Sequence, residues 1–433
     1  MPSSQFRGTV SWGYNPTAFF APHVSYGTPD ELRRFVDEAH ARGIGVVLDI
    51  VNNHTDRQHQ GLWCFDGECP ATSSNGIYFF SDPTYAMTPW GPRPDFSKKE
   101  VTNMLVDSLF TWLSEYRMDG FRWDSTSNIR AIDGAGTVPG GRDFMANAND
   151  ALHALFPRAI FIAEDYKGHA PITATTASGG MGFDAQWDGF AFTIIPTVSE
   201  ATDVARNVNG VRDAIAFRYN GVGSQRVIYT ENHDIAGNGG TRLPKTIDAK
   251  DATSLRARKG SMLGAAVTFM SPGIPMLLQG QEILQTESWT NNLTPSVRWD
   301  DATTNAPVLA FYRDMLRLRR NLDGTSKGLL GQSVNVFHVN APSKVLAWQR
   351  GGTPGDEVVI VANFSSTLFT SYTLGFPAAG VWRVRFNGDS KKYSSDFADT
   401  AVADVTAAST VRDGLPASGT LVLPPYAVVV LSR

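Results

Sequence analysis

The chain is short of several things, and each shortage excludes something. Only two cysteines occur among its 433 residues, Cys64 and Cys69 in "WCFDGEC". A structural zinc site wants four ligands, and no nearby histidine pair completes one. Two readings of the cysteines stay open: free thiols in a loop, or a small loop disulfide, which would imply export. Charge of one sign is also scarce. Net charge is −4, the isoelectric point is near 6.1, and no basic stripe runs through the sequence. Nucleic acid and anionic membrane are thereby excluded as main partners. Long hydrophobic runs are missing as well. The most apolar stretch, 262–278, is broken by Pro272, Gly273 and Pro275, so it reads as a helix and a buried strand rather than a membrane span. Residues 1–20 show no basic start followed by an apolar run, so no signal peptide is visible. The location is cytoplasmic if that start is genuine and open to export if the chain is shortened.

What is present is globular. Hydrophobic residues make up 42% and charged residues 18%, in a length that suits a large core and two domains. From Thr28 to about Asn321 helical and strand-like segments alternate. "TPDELRRFVDEAHARG" carries a threonine cap, an acidic first turn and a glycine stop. "IGVVLDIV" follows as a continuous apolar run, the mark of a strand buried on both faces. Similar pairs recur through "MDGFRWD", "AIFIAED", "RVIYTENHD" and "IPMLLQG", with a sixth strand expected in "GFDAQWD" or "RDAIAFRYN". Repeated strand–helix units predict a parallel sheet, and their number favours a closed (β/α)8-type barrel over a doubly wound sheet. Beyond Leu322 short β-branched and aromatic runs separated by Gly, Pro, Ser and Asp predict an antiparallel β-sandwich. The expected division is a barrel over 1–324, with a short inserted loop region at 55–97, and a sandwich over 325–433.

Four strand ends finish in charged or amide residues: "LDIVNNH", "FRWD", "IAED" and "YTENHD". Functional groups of a parallel barrel collect where its strands end. Asp49, Asn53 and His54 mark the first such end, Arg122 and Asp124 the second, Glu164 the third, His233 and Asp234 the fourth. Side chains two apart on a strand share a face, so Arg122 and Asp124 point together toward the axis. A guanidinium beside Asp124 is expected to lower its pKa and keep it an anion fit for nucleophilic attack. Glu164 is expected to have no arginine beside it and, desolvated with another carboxylate nearby, to be raised and so to suit a general acid. Two carboxyls with separated pKa values equip a glycosidase.

The stretches "DIVNNH", "GFRWD", "AED" and "ENHD" come in the order of the four conserved stretches of the alpha-amylase superfamily, glycoside hydrolase family 13, which the chain resembles over nearly its whole length. The resemblance implies that Asp124 is the nucleophile of a covalent glycosyl-enzyme, Glu164 the acid/base, and Asp234 the group that grips sugar hydroxyls and favours the distorted ring. It further implies that His54 and His233 bond the sugar, that Asp49 and Arg122 support the site, and that Tyr14 in "SWGYNP" is an aromatic platform. Trp63, Trp90 and Trp187 are candidates for further subsites. Trp123 alternates away from the axis and is expected to pack.

The implied substrate is an α-glucan polysaccharide or maltooligosaccharide. The expected activity is amylase-type hydrolysis of α-1,4 bonds. The alternative is branching, transfer of the cleaved chain to a 6-hydroxyl; a further alternative is a non-catalytic glucan-binding relative. "SWGYNPTAFFAPHVSYGTPDELRRFVDEAHARGIGVVLDIVNNH", "TPWGPRPDFSKKEV" and "SGGMGFDAQWD" are similar to branching-enzyme text, whereas "STSN" after Asp124 matches neither group. No cofactor is required by this chemistry; Asn53 falls where family members often ligate calcium. The family's first strand, first helix and second strand have no visible counterpart here. A shortened chain or displaced start, a remodelled partial barrel, and completion by another chain are the competing explanations, with the first favoured.

Overall fold

A computed structural model describes residues 1–56, 61–62, 65–67, 76–132, 136–290 and 297–433. The chain forms two compact units, Met1–Asp188 and Gly189–Arg433. Cys64, Cys69 and Trp63 lie outside the described residues. Among those described, no helix is long and apolar enough to cross a membrane.

The first unit alternates helices α1 (Pro29–His40), α2 (Lys99–Ser114) and α3 (Gly141–Leu155) with strands β1 (Val47–Ile50), β2 (Gly120–Trp123), β3 (Ile160–Ala163) and β4 (Ala185–Trp187). The strands pair in the order β1-β2-β3-β4, all parallel. Helix α1 starts where the sequence says it should. The Thr28 hydroxyl accepts from the Glu31 N–H while the Glu31 carboxylate accepts from the Thr28 N–H, a reciprocal capping box. On α2, Val101, Leu105, Leu109 and Trp112 recur at helical spacing and are all buried, against Phe121 and Phe161 of the strands and Phe144 and Met145 of α3. Each such large side chain contributes about 2–3 kcal/mol of burial. Phe121 and Trp123 face this helical layer, and Trp123 packs 5.6 Å from Phe144 and 5.4 Å from Phe183, measured between ring centroids. Alternation then turns Arg122 to the other face of the sheet. Gly120 is required for β2 to approach β3: a Cβ there would lie 1.9 Å from the Ile160 carbonyl oxygen.

The expected sixth strand is β4, in "GFDAQWD"; "RDAIAFRYN" belongs mostly to a helix, since Val211, Ile215 and Val208 form one buried face there. In the second unit that helix, α5 (Val208–Ala216), follows α4 (Ala191–Ser199) and is joined by α6 (Leu255–Met270) and α7 (Ala306–Arg319). Strands β5 (Arg226–Ile228) and β6 (Ile274–Pro275) pair in parallel.

The sandwich follows as β7 (Val334–Asn340), β8 (Val345–Arg350), β9 (Val358–Asn363), β10 (Phe369–Phe376), β11 (Gly380–Asn387), β12 (Val405–Ala407), β13 (Ala417–Leu423) and β14 (Ala427–Ser432). Its larger sheet runs β12-β11-β14-β9-β8-β7 and the smaller one pairs β10 with β13, all antiparallel. The apolar runs "VVIVAN" and "AVVVLS" are continuous rather than alternating because both faces of the larger sheet are covered. Val358, Ile360, Val428 and Val430 join the core built with α6 and α7, whereas Val359, Val361, Val429 and Leu431 face the smaller sheet. The compact unit that holds the sandwich begins at Gly189, well before the composition shift near residue 325.

A buried ion pair pins the sandwich to α6. Lys259 binds Asp389, donates to the Pro425 carbonyl at 3.1 Å, and lies 4.5 Å from the centre of the Phe397 ring. Removing one partner strands the other charge in a dry core, which costs about 3–5 kcal/mol. Lys259→Ala is expected to lower stability by that order in urea unfolding; a midpoint equal to the parent's would show the pair to be dispensable.

Candidate active site

The ends of β1, β2 and β3 place the carboxyls of Asp49, Asp124 and Glu164 on the Arg122 guanidinium, with the Asn53 amide one hydrogen bond further out. In the parallel register Asp49 stands opposite Arg122, and Arg122 opposite Ile162. Continuing that register by two residues sets Asp124 beside Glu164 on the face that Arg122 occupies.

Arg122 is the hub. Its Nη1 donates to Asp49 Oδ1 at 2.7 Å and to Asp124 Oδ1 at 2.8 Å, and its Nη2 lies 2.7 Å from Glu164 Oε2. Trp187 covers the guanidinium, 4.6 Å from its carbon to the ring centre, and the Tyr14 ring lies 5.5 Å away. Three carboxyls thus share one cation that is itself only 7% exposed. Asp49 is fixed from a second side by the Tyr14 hydroxyl, which donates to Oδ2 at 2.5 Å. Burial pushes the Asp49 carboxyl up, but Arg122, the Met1 ammonium 3.5 Å away and the tyrosine hydrogen bond together outweigh it and hold the group below the usual carboxylate range.

Asp124 accepts from the Asn53 amide at 2.8 Å as well as from Arg122, and the same amide donates to the Asp124 carbonyl at 2.9 Å. Glu164 accepts from the Ser125 N–H at 2.7 Å. Burial raises Glu164 to about 7 against the pull of Arg122, with the Asp124 charge adding to the rise. Two sequence expectations need correction. Glu164 does have an arginine beside it, because the strand register brings Arg122 across from β2. Asp124 is raised rather than lowered, because its complete burial outweighs the guanidinium that it shares with two other carboxyls. The two acids still differ in support. Asp124 receives side-chain donors from both Asn53 and Arg122, so it is the better held anion.

His54 is buried, and its Nδ1 lies 2.5 Å from Asn53 Oδ1. Desolvation lowers its pKa to about 4, so the ring is neutral at pH 7. With Nδ1–H donating to the amide oxygen, Nε2 is the acceptor nitrogen. Gly91 allows this packing, since a Cβ there would meet the Thr55 carbonyl oxygen at 1.9 Å and His54 Cδ2 at 3.6 Å. Trp90, the next residue back, is 51% exposed with its ring 5.4 Å from that of His54. Trp187 by contrast is buried on Arg122, which suits orienting the cation rather than lining an outer subsite. The Asn53 carboxamide donates to Asp124 through its nitrogen and lies against His54 Nδ1 through its oxygen.

His233 and Asp234 lie in the second unit, just beyond β5, opening a four-residue helix whose cap is the Asn232 side chain. His233 Nε2 is 3.5 Å from Asp234 Oδ2, and the Asn238 amide donates to Asp234 Oδ1 at 3.0 Å. Glu231, in the same motif, is an internal group: it accepts from Arg242 at 2.8 Å and from the Leu243 N–H at 2.6 Å.

Sequence reasoning undervalued two features. Asn53, past the end of β1, clamps the carboxylate past the end of the neighbouring strand β2, a contact that sequence spacing does not show. Ser125 adopts a left-handed backbone, φ 43° and ψ 53°, which costs a non-glycine residue about 1–2 kcal/mol and is invisible in the sequence.

The chain matches the alpha amylase catalytic-domain model over residues 7–93 and the alpha amylase C-terminal all-beta-domain model over residues 336–433. It is 31% identical over 464 residues to the 1,4-alpha-glucan branching enzyme GlgB of Burkholderia vietnamiensis, covering 100% of this chain and 60% of that protein. It is 30% identical over 458 residues to the branching enzyme of Rhodospirillum rubrum, covering 100% and 59%. The chain thus spans about three-fifths of the length of these relatives. An Anoxybacillus alpha-amylase crystal structure superposes with a TM-score of 0.70 at 19% identity, over 100% of this chain and 85% of that one, a likeness of fold. With its helix-and-parallel-strand units, its closing β-sandwich and these matches at both ends, the chain is similar to the alpha-amylase superfamily from one end to the other.

Proposed function

We propose that the chain carries a retaining α-1,4-glucan-cleaving site and passes the cleaved chain to a 6-hydroxyl, as a branching enzyme does. The observation that carries the chemistry is the sharing of Arg122 by Asp124 and Glu164. One guanidinium keeps the two carboxyls close, which favours the separation of about 5–5.5 Å used for covalent displacement over the wider gap that admits a water.

Asp124 attacks the anomeric carbon and forms the glycosyl ester as the glycosidic C–O bond breaks. Glu164 gives its proton to the departing oxygen. An incoming hydroxyl then returns a proton to Glu164, attacks the same carbon and frees Asp124. His54, a neutral ring, keeps the sugar-bonding role that the family resemblance implies, and the Tyr14 and Trp90 rings suit the apolar face of a pyranose. Asp234 and His233 keep the sugar-gripping roles that the family resemblance implies.

The acceptor is the finer question. The similarity to branching enzymes runs through the whole chain, and it moves the reading from hydrolysis to transfer. Incubation with amylose tests this directly. Branching lowers the iodine stain with few new reducing ends; reducing ends that rise in step with the loss of stain would make the activity hydrolytic, and no change in either would leave a glucan-binding protein.

Acidity gives a second check. Glu164 acts in its protonated form, and burial sets it to about 7. Turnover is therefore expected to fall as pH rises through about 7, and to fall at low pH as Asp124 takes up a proton. A rate unchanged up to pH about 9 would remove Glu164 as the acid.

A further inference from the structure

The turn after Asp124, Ser125-Thr126-Ser127-Asn128, is the stretch that matches neither hydrolase nor branching-enzyme text. Its polar groups converge on one residue. The Ser125 N–H donates to Glu164 Oε2 at 2.7 Å. The Thr126 N–H and hydroxyl both donate to the Glu164 carbonyl oxygen, at 3.1 and 2.9 Å. Glu164 is thus held at its carboxyl and at its backbone by two consecutive residues.

The turn is itself braced. Ser125 can aim its N–H at Glu164 because its backbone is left-handed. The Asn128 side chain donates to Ser125 Oγ at 2.7 Å, and the Asn128 N–H donates to the Ser125 carbonyl at 2.9 Å. Behind Asn128 stands the buried Arg93, whose Nε donates to the Asn128 carbonyl at 3.1 Å and whose Nη1 donates to the Tyr85 carbonyl.

Glu164 lies one residue past β3, where the regular ladder stops at Ala163. Its carbonyl would be free to swing if Thr126 did not bind it twice. We propose that Thr126 and Asn128 are positioning residues, which hold the Glu164 carboxyl at the angle needed to protonate the glycosidic oxygen. This rests on Glu164 being the acid/base of the proposed reaction. A proton donor works only within hydrogen-bond reach, and a misplacement of about 1 Å lowers the rate by about 100-fold.

The experiment compares Thr126→Val, Thr126→Ser and Asn128→Ala in the full chain, with Glu164→Gln as reference, on amylose across a pH series. Thr126→Val keeps the shape and removes one donor. It is expected to lower kcat by about 10- to 100-fold with KM unchanged. Slackening the turn also weakens the Ser125 N–H bond, which favours the charged form of Glu164, so the basic limb of the pH profile moves up. Thr126→Ser restores both kcat and limb. Asn128→Ala, at a half-buried position, shifts the limb the same way and serves if the valine variant does not fold. Profiles that superpose on the parent's in both variants overturn the proposal, as does a fall in kcat that serine does not rescue and that leaves the limb in place. A fully active Glu164→Gln enzyme overturns the acid/base reading beneath it, and is distinguishable because it needs no change in the turn.

Discussion

Asp124→Ala is expected to abolish turnover, by a factor on the order of 10⁴ or more, while the folded protein still binds glucan. The loss is large because no second group can take over the attack. Asp49 is turned into Arg122 and Tyr14, and Glu164 holds the proton that the leaving group needs. The fold is expected to survive. Asn53 keeps its bond to the backbone carbonyl of residue 124, and Arg122 keeps Asp49 and Glu164. Taking one anion out of a crowded trio also eases the repulsion that raises Glu164, so its pKa falls from about 7. The measurement is turnover of amylose beside a glucan-binding titration and a thermal melt. Activity within about tenfold of the parent's, in a variant that melts normally, would remove Asp124 as nucleophile.

Arg122→Lys is expected to be nearly as damaging, for a different reason. An ammonium is one nitrogen; it cannot contact Asp49, Asp124 and Glu164 from two corners while lying flat under Trp187. At least one buried carboxyl loses its partner, which costs about 3–5 kcal/mol of stability, and kcat falls by about 1000-fold or more as the two acids lose their common template. The pH dependence follows in sign. Without the guanidinium the folded-state pKa values of Asp124 and Glu164 rise further above their unfolded values. An acid whose pKa is raised by folding stabilises the fold at pH below its unfolded pKa, and that contribution is lost as pH rises through the folded value. The lysine variant should therefore melt higher at pH about 5 than at pH about 8. A variant with parental stability at both would show that the trio is held by other groups.

The sequence made the two-residue spacing of Arg122 and Asp124 legible, because strand alternation needs no partner to be known. It did not show that Glu164 stands beside them, since that depends on register between β2 and β3. For the same reason the shared arginine is not legible in the sequence; the direction of the Asp124 shift turns on burial, which spacing alone does not show. The site at the ends of β1, β2 and β3 was otherwise readable from charged residues closing apolar runs. In the sandwich, β9 and β14 announced themselves by unbroken valine and isoleucine. Strands β10 and β13, rich in threonine, serine and glycine and partly exposed, carry no such signal.

The two-faced burial of β9 and β14 bears on how this protein could have been assembled from parts. Their odd and even residues serve different neighbours, so the terminal hundred residues do not form a detachable cap. A protein severed near residue 325 would leave columns of valine bare on one piece and a lysine without its counter-ion on the other. Recombination that exchanged this ending for another would succeed only if the newcomer brought matching columns, so the border visible in the sequence is not a line along which the molecule can be cut.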